Sequence, residues 1–450
     1  MSTPQSLEHT RERIEDLLVD GDAIAAGTLA GELHPSDLAD LFESLPEELG
    51  VRLLEALPTE LASEALAEME EGEDRGDLLT SLSPERGAEL LGELADDDAA
   101  DLIGDLEPTD QRRILDALPA EEAGELMGLL QYGEDTAGGL MTTEFVAVDA
   151  SLTAGEAIEA VRVQGREVGN FYTVWVVDSQ GKLRGTLALN ELVVAEPGTP
   201  VRDLVEDAVV TVLPEVDQEE VGRLIARYNL VAIPVVSPQG VLLGRITFDD
   251  VIDVIESEQT EDILRLAGLG DDEEVLRHTW RESVRARLPW LVLNLVTASL
   301  AASVILLFED VIDEVLTLAF LAPIIAAIGG SSGTQSLAIT IRRITVEGSG
   351  RARGHVLGEI LVGLVNGAVL GGGIALLALV VDGDPRLGLV VLLAMWGNLV
   401  VAGFAGAFVP STLDRLGVDP SVASSVFVHT LTDLCGFFLL LGLASRLLLG

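Results

Sequence analysis

An apolar run near the C-terminus, residues 421–449, is long enough to cross a bilayer. It carries one carboxylate, Asp433, close to its middle. An ionised side chain at that depth costs about 3 kcal/mol on insertion scales and normally lines an aqueous path. His429 and Ser425 precede Asp433 by one and two helical turns, so one helix face presents a carboxylate, an imidazole and a hydroxyl. This face is a candidate cation path; the structural alternative is a buried Asp satisfied by a neighbouring helix.

Four further apolar segments precede this one, and the five together predict an α-helical transmembrane domain in contact with the lipid bilayer. We place the spans at residues 288–307, 315–341, 356–381, 389–409 and 422–448. Arginines flank the ends on the side of the N-terminal region, whereas acidic residues occupy the opposite loops. The positive-inside rule therefore predicts a multi-pass protein of the cell membrane, with its N-terminus in the cytoplasm and its C-terminus outside.

Two of the spans contain unusual positions. The second has three glycines and two serines within residues 329–333, which disfavours a rigid helix. We expect an interruption there that offers backbone carbonyls to a hydrated cation, the alternative being close packing of a small-residue helix. In the fourth span Asn398 is polar and central, and both a pore-lining role and a hydrogen bond between helices fit it.

The chain as a whole is strongly acidic. Asp and Glu number 75 against 27 Lys and Arg, which gives a formal net charge of −48, and Lys182 is the only lysine. This excess opposes nucleic-acid binding, because phosphate contacts need positive charge, but it permits cation binding. We expect a salt-loving source organism, since dense salt screens the repulsion among the carboxylates. The sequence shows neither a nucleophile–base pair nor a phosphate-binding loop, so we do not expect an enzyme.

Residues 1–131 predict an all-α superhelical domain. Short amphipathic helices such as LADLFESL and VRLLEAL alternate with prolines spaced by one or two helices. Within this region Asp97 and Asp101 lie one turn apart on the same helix face, where they repel each other unless a divalent cation binds between them. The alternative is a solvated acidic face.

In residues 132–255 the hydrophobic period changes. Short β-branched runs alternate with helices in the order β–α–β–β–α, twice, at about residues 143–195 and 201–255. This α/β pattern resembles a pair of CBS domains, a module that usually regulates an attached activity. In the second copy Thr247 and Asp250 stand at the spacing that CBS domains use for the phosphate and ribose of a nucleotide. The first copy has Ala188 and Glu191 instead, so the resemblance implies ATP or another adenine nucleotide in the second copy alone.

A connecting region at residues 256–284 joins this pair to the transmembrane domain, residues 285–450. It begins with a polar helix that we expect to end at Gly268. Glu258, Glu261 and Asp262 lie on adjoining faces of that helix. Its position favours a plug helix that transmits movement to the membrane, and the alternative is a solvated linker.

Taken together, these segments resemble the MgtE family of magnesium transporter-channels along almost the full length of the chain. The matching stretches are residues 132–138, the CBS pair, Glu261-Asp262 with 266–268, 329–337, Asp419-Pro420 and 430–433. The resemblance implies a homodimer whose two last helices line a pore, with Asp433 holding hydrated Mg²⁺. Two such carboxylates across a two-fold axis, with water and backbone carbonyls that include the one of His429, suit the octahedral oxygen preference of Mg²⁺.

The resemblance also implies a gate, which cytosolic Mg²⁺ closes by binding between acidic residues. Carried over residue by residue, the sensor set is Asp97, Asp101, Glu219, Asp250, Asp253, Glu258, Glu261, Asp262 and Asp419. Three positions depart from the family pattern: Asn229 stands in place of an Asp, Ser425-Val426 in place of a Gly-Pro or Asn-Pro pair, and Ser331 in place of an Asn. Two alternatives follow, a less selective channel for Co²⁺, Mn²⁺ or Ni²⁺ and a non-transporting sensor of Mg²⁺ or nucleotide.

Overall fold

The structure is a computed structural model that describes residues 4–69, 73–166, 168, 171–207, 210–267, 269, 280–347, 353–416, 418–422 and 425–449. It divides into two compact units, Met1–Glu256 and Ser257–Gly450. Gly268, the predicted end of the polar helix, and residues 270–279 of the predicted connecting region lie outside the described residues.

The first unit begins with ten short helices. Their bounds are α1 Pro4–Val19, α2 Ala23–Ala30, α3 Pro35–Ser44, α4 Glu47–Ala56, α5 Thr59–Ala67, α6 Glu73–Ser81, α7 Pro84–Leu91, α8 Asp96–Gly104, α9 Pro108–Leu115 and α10 Ala120–Leu129. The prolines that punctuate this region stand at helix starts, because a fixed φ and a missing N–H suit the first turn. They are Pro35, Pro46, Pro58, Pro84, Pro108 and Pro119. Most helices pack on the second one along, as α3 on α5 and α5 on α7, which confirms the superhelical stack.

The CBS pair follows in the same unit. The first copy comprises β1 Ala147–Asp149, α11 Ala154–Gln164, β2 Thr173–Val177, β3 Leu183–Ala188 and α12 Leu189–Val194. The second comprises α13 Gln218–Tyr228, β4 Ala232–Val236, β5 Leu242–Thr247 and the start of α14 Phe248–Leu266. In the first sheet β2 pairs with β1 in parallel and with β3 antiparallel, and in the second β4 and β5 are antiparallel.

One strand of the predicted pattern is reduced to a single pairing. At the position of the first strand of the second copy, the structure has a parallel bridge between Val212 and Val235. The two copies bury a common apolar cluster that includes Trp175, Val236 and Leu242. The paired α/β modules are therefore confirmed, with one edge shorter than expected.

The second unit is a helical bundle. Its helices are α15 Trp280–Leu307, α16 Glu309–Glu314, α17 Thr317–Glu347, α18 Arg353–Asp382, α19 Pro385–Arg415 and α20 Ser425–Leu447. Among the described residues, five helical segments have the length and composition of membrane spans: Ser283–Leu307, Thr317–Thr345, His355–Asp382, Pro385–Arg415 and Ser425–Leu447. Helix α19 packs against α17, α18 and α20, and its interior positions are largely buried.

The predicted interruption of the second span was wrong. Helix α17 runs without a break through residues 329–335. A Cβ atom at Gly329 would collide with Asn398, and one at Gly330 would collide with His429. The glycines are therefore explained by two neighbouring helices that approach the α17 backbone closely, which is the packing alternative.

Candidate cation sites

A cavity of about 650 Å³ opens between α17 and α20. Its described lining consists of Ala326, Ala327, Ser331, Thr334, Gln335, His429 and Asp433. Helix α20 supplies the carboxylate and the imidazole, as the spacing of Asp433 and His429 leads one to expect, and α17 supplies hydroxyl and amide groups. Asp433 is the one carboxylate among the described lining residues, and oxygen donors of this kind suit a hydrated hard cation.

The ring of His429 is oriented by its own helix. Its Nδ1 lies 2.7 Å from the backbone carbonyl oxygen of Ser425, so Nδ1 carries the hydrogen and donates it. The ring then lies against Gly330, where any side chain would displace it. Ser425 thus contributes its carbonyl to the orientation of His429, and its hydroxyl is outside the described cavity lining.

Asn398 lies inside the bundle, apart from the described cavity lining. It is fully buried, and its Nδ2 donates to the Ile325 carbonyl at 3.1 Å. Gly329 of α17 and Gly436 of α20 leave room for its amide group on two sides. These contacts fit the interhelical alternative.

In the first unit, Asp96 anchors α8 to the segment that enters the CBS pair. Its carboxylate accepts from Thr142 Oγ1 at 2.6 Å, from the Thr143 amide at 3.0 and 3.1 Å, and from the Thr143 hydroxyl. A buried carboxylate with several donors of this kind is well satisfied. Asp96 therefore has a structural role, and its neighbours Asp97 and Asp98 are held near α14.

Four carboxylates form what we call the N-terminal acidic cluster: Asp97, Asp98, Asp250 and Asp253. Burial raises the pKa of Asp97 well above its usual range, and the charges of Asp98 and Asp250 raise it further. Burial and Asp250 also raise the pKa of Asp98 to about 6, against the opposing effect of Arg75. The Oδ1 atom of Asp97 is buried without a hydrogen-bond partner among the described residues. Such crowding favours a bound proton or a bound cation.

The chemistry of this cluster suits Mg²⁺ with part of its water shell. Across the ranges that the structure describes, no three His, Cys, Asp or Glu side chains are arranged to hold a metal ion. A cation here would therefore keep waters between itself and some of the carboxylates, as Mg²⁺ commonly does. The unpartnered oxygen of Asp97 is the acceptor that such an ion or one of its waters would satisfy.

The structure brings together Asp97, Asp250 and Asp253 of the predicted sensor set. Asp101 lies one turn further along α8, and Glu219 lies in the first turn of α13, where its amide donates to Asp217. The prediction missed three further carboxylates whose charges act on the cluster, namely Asp98, Glu68 and Asp249. Asp98 could have been inferred from the acidic run at residues 96–98, whereas Glu68 comes from a distant helix.

The predicted nucleotide residues are paired with each other at the start of α14. Thr247 Oγ1 donates to Asp250 Oδ2 at 2.6 Å, and the Thr247 amide donates to the same oxygen at 3.2 Å. Burial raises the pKa of Asp250, although both Thr247 hydrogen bonds oppose this. The arrangement is that of a helix cap, so Asp250 contributes both to the helix start and to the acidic cluster.

The end of α14 belongs to the second unit and meets the segment between α19 and α20. Arg265 forms ion pairs with Glu261 and with Asp419. We call this group, together with Ser421, the Arg265 junction. Burial raises the pKa of the neighbouring Asp262, and the charges of Arg265 and Arg342 partly offset that effect. Glu258 is half-buried on the same helix.

Comparison with known proteins supports the assignment of each predicted domain. Residues 33–135 match the MgtE intracellular N domain, residues 137–198 and 201–257 match CBS domains, and residues 322–443 match the divalent cation transporter domain of MgtE. These matches agree with the predicted order of a helical domain, a CBS pair and a membrane domain.

Full-length relatives extend the agreement. The magnesium transporter MgtE of Thermus thermophilus is 36% identical over 97% of this chain and 98% of its own length. That of Enterococcus faecalis is 37% identical over 92% of this chain and 91% of its own length. A crystal structure of the cytosolic domain of the Mg²⁺ channel MgtE in complex with ATP is 37% identical, with a TM-score of 0.52, and covers 54% of this chain and 99% of its own. This chain therefore belongs to the MgtE family of magnesium transporters.

Proposed function

We propose that the protein carries Mg²⁺ across the cell membrane through a pore that two copies of the chain build together. The observation that supports this best is the cavity between α17 and α20, where Asp433 faces hydroxyl and amide groups at membrane depth. An ionisable side chain held within a membrane span is costly and marks an ion path. The names of the full-length relatives support Mg²⁺ as the ion.

A second copy supplies what one cavity lacks. One carboxylate cannot compensate a divalent charge, whereas two Asp433 side chains across a two-fold axis can do so and still leave room for waters. Arg285, Arg287 and Arg342 flank the ends of α15 and α17 that face the N-terminal side of the bilayer. This distribution supports a cytoplasmic N-terminus and an external C-terminus.

The test is Mg²⁺ uptake into proteoliposomes that contain the full chain. We expect the Asp433→Ala and Asp433→Asn variants to lose uptake to the level of empty liposomes, because both lack the carboxylate. A matched control is Asp310→Ala, which removes an exposed carboxylate from α16. Size-exclusion chromatography shows whether each variant still assembles, and normal uptake through Asp433→Ala would remove that residue from the ion path.

The same assay separates the two alternatives. Equal competition by Co²⁺, Mn²⁺ or Ni²⁺ would favour a less selective channel. Wild-type protein that binds Mg²⁺ but passes none would favour a sensor without transport.

We further propose that cytosolic Mg²⁺ regulates this path through the N-terminal acidic cluster. The support is the unpartnered, buried oxygen of Asp97 beside the like charges of Asp98 and Asp250. A cation relieves that repulsion only where the carboxylates are close, so it stabilises the compact arrangement. Shifting a two-state gate from 1:99 to 99:1 needs about 5.5 kcal/mol of differential binding, which several weak sites can supply together.

Regulation is tested by the internal Mg²⁺ concentration that halves the flux. We expect Asp97→Asn combined with Asp250→Asn to shift this midpoint to higher Mg²⁺, since fewer charges hold the ion. Asp77→Asn, an exposed change on α6, is the matched control. The wild-type midpoint should also rise with ionic strength, because salt screens the carboxylates. An unchanged midpoint in the double variant would locate regulation elsewhere.

Adenine nucleotide binding at the second CBS copy is a separate proposal. It is supported by Thr247 and Asp250 at one helix start and by the ATP complex of the related cytosolic domain. We expect Thr247→Val to abolish ATP binding in titration calorimetry and Glu191→Gln in the first copy to leave it unchanged. Equal binding by wild type and Thr247→Val would contradict the proposal.

A further inference from the structure

Arg265 forms ion pairs with two carboxylates that a metal sensor would use to bind its cation. Its guanidinium pairs with Glu261, one turn earlier on α14, and with Asp419 in the segment between α19 and α20. The side chains of Arg265 and Glu261 are 18% and 23% exposed, so their pair is largely shielded from water, whereas Asp419 is 40% exposed. Arg265 Nη1 also lies 3.3 Å from Ser421 Oγ, to which it donates. The protein's own cation thus occupies the space between two carboxylates of the predicted sensor set.

Asp419 has little capacity left for a further cation. Its Oδ1 accepts from the Ser421 amide at 2.8 Å, and its Oδ2 accepts from the Ser421 hydroxyl at 2.6 Å and from Arg265. A carboxylate offers about four lone-pair sites, and protein donors fill three of them here. A divalent ion at Asp419 would have only the remaining site on Oδ1, unless it displaced the guanidinium or the hydroxyl from Oδ2.

The residue after Arg265 continues the attachment through apolar contacts. Leu266 packs against a cluster formed by Leu337 and Ile341 of α17 and Val428 of α20. An ion pair next to a hydrophobic contact fixes both the position and the rotation of a helix end. Helix α14 therefore ends on the bundle next to the two helices that line the Asp433 cavity.

We infer that Arg265 is a positioning residue that holds the end of α14 on the membrane unit in place of a divalent cation. This inference rests on the proposed regulation by Mg²⁺, and it restricts the regulatory Mg²⁺ sites to the N-terminal acidic cluster. Glu261 and Asp419 share the positive charge of one arginine, and Mg²⁺ acts on the N-terminal acidic cluster instead. The attachment of α14 at this junction is accordingly independent of Mg²⁺.

Hydrogen–deuterium exchange of residues 257–267 in the full chain tests this. Wild type should exchange at the same rate in EDTA and in Mg²⁺. Arg265→Gln should exchange about tenfold faster in EDTA, the effect expected for a lost charge-assisted pair. Mg²⁺ should restore its protection, because the two carboxylates that Arg265 held can then share the ion. Arg265→Lys should recover only part, since an ammonium cannot form the same two-pronged contact.

The matched control is Arg415→Gln, an exposed arginine in the last turn of α19. Equal exchange by Arg265→Gln and wild type in EDTA would overturn the inference. Wild-type protection that depends on Mg²⁺, or a lack of recovery by Mg²⁺ in Arg265→Gln, would also overturn it. Hydrogen–deuterium exchange does not require transport. An absence of Mg²⁺ flux would therefore contradict the proposed function, whereas the exchange rates alone test the role of Arg265.

Discussion

The N-terminal acidic cluster and the Arg265 junction both bring carboxylates close together, but they differ in the positive charge that lies between those carboxylates. In the cluster, Asp97 and Asp98 lie near Asp250, and Arg75 offsets only part of the crowding, so the pKa of Asp98 rises to about 6. In the junction, Arg265 stands between Glu261 and Asp419. The first group is left with repulsion that a mobile cation can relieve, whereas in the second an arginine already lies between the two carboxylates.

Acidic residues in this chain therefore cannot be assigned to Mg²⁺ by residue type alone. What matters is whether a carboxylate has a fixed partner. Asp96 shows the same contrast within one helix turn, because it is bonded to Thr142 and Thr143 while the adjacent Asp97 has an unpartnered oxygen. Fixed partners indicate structure, and unsatisfied buried oxygens indicate a place for a cation.

The largest effect is expected for Asp96→Ala. The change leaves the Thr143 amide and the Thr142 hydroxyl without their acceptor, which should cost about 3 kcal/mol, or roughly 6–12 °C in the Tm of the first unit. Thermal unfolding of the full chain in detergent measures it, with Asp77→Ala as the control. A Tm equal to that of the control would mean that the anchor contributes little.

Asp97→Asn should have the opposite sign. Replacing the crowded carboxylate by a neutral amide should stabilise the first unit by about 2 kcal/mol without Mg²⁺. The gain should shrink as Mg²⁺ is added, because the ion stabilises only the wild type. The Tm measured at several Mg²⁺ concentrations tests this, and a destabilised variant in EDTA would contradict a repulsive cluster.

The pH dependence follows from the raised pKa values. A carboxyl whose folded pKa is about 6, as for Asp98, binds its proton more tightly in the folded state than in the unfolded one. Without Mg²⁺ the first unit should therefore gain stability as pH falls from 7 to 5, by at most about 1.4 kcal/mol per pH unit for each such group. Saturating Mg²⁺ should remove this gain, since the ion competes with the proton. Stability that falls between pH 7 and pH 5 in EDTA would contradict the assignment.

The smallest effect is expected for Ser421→Ala at the Arg265 junction. The hydroxyl bond to Asp419 and the longer bond from Arg265 are lost while the guanidinium pair remains, so the cost should be about 1 kcal/mol and should not vary with Mg²⁺. Ser299→Ala, whose hydroxyl bonds its own helix carbonyl, is the matched control. A cost that rises when Mg²⁺ is removed would place a cation at Asp419 after all.

Local patterns were enough to predict much of the fold and part of the site. The proline spacing of the N-terminal helices, the alternation of the CBS strands and the five apolar spans are features of local sequence. The structure has them, except that one CBS strand is reduced to a single bridge. The common face of Asp433 and His429 is likewise a matter of helical spacing. Family membership followed from the same motifs.

Tertiary structure alone decided which polar groups meet. A glycine-rich window such as residues 329–333 fits a broken helix and a tightly packed one equally well, and only the positions of Asn398 and His429 show that packing is the reason. In the sequence, Arg265 resembles an ordinary surface arginine. Only the folded structure shows that it pairs with Asp419, which is distant in sequence. Helical and strand periods depend on residues that are close in sequence. The partner of a charged side chain depends on which distant residues the folded chain brings next to it.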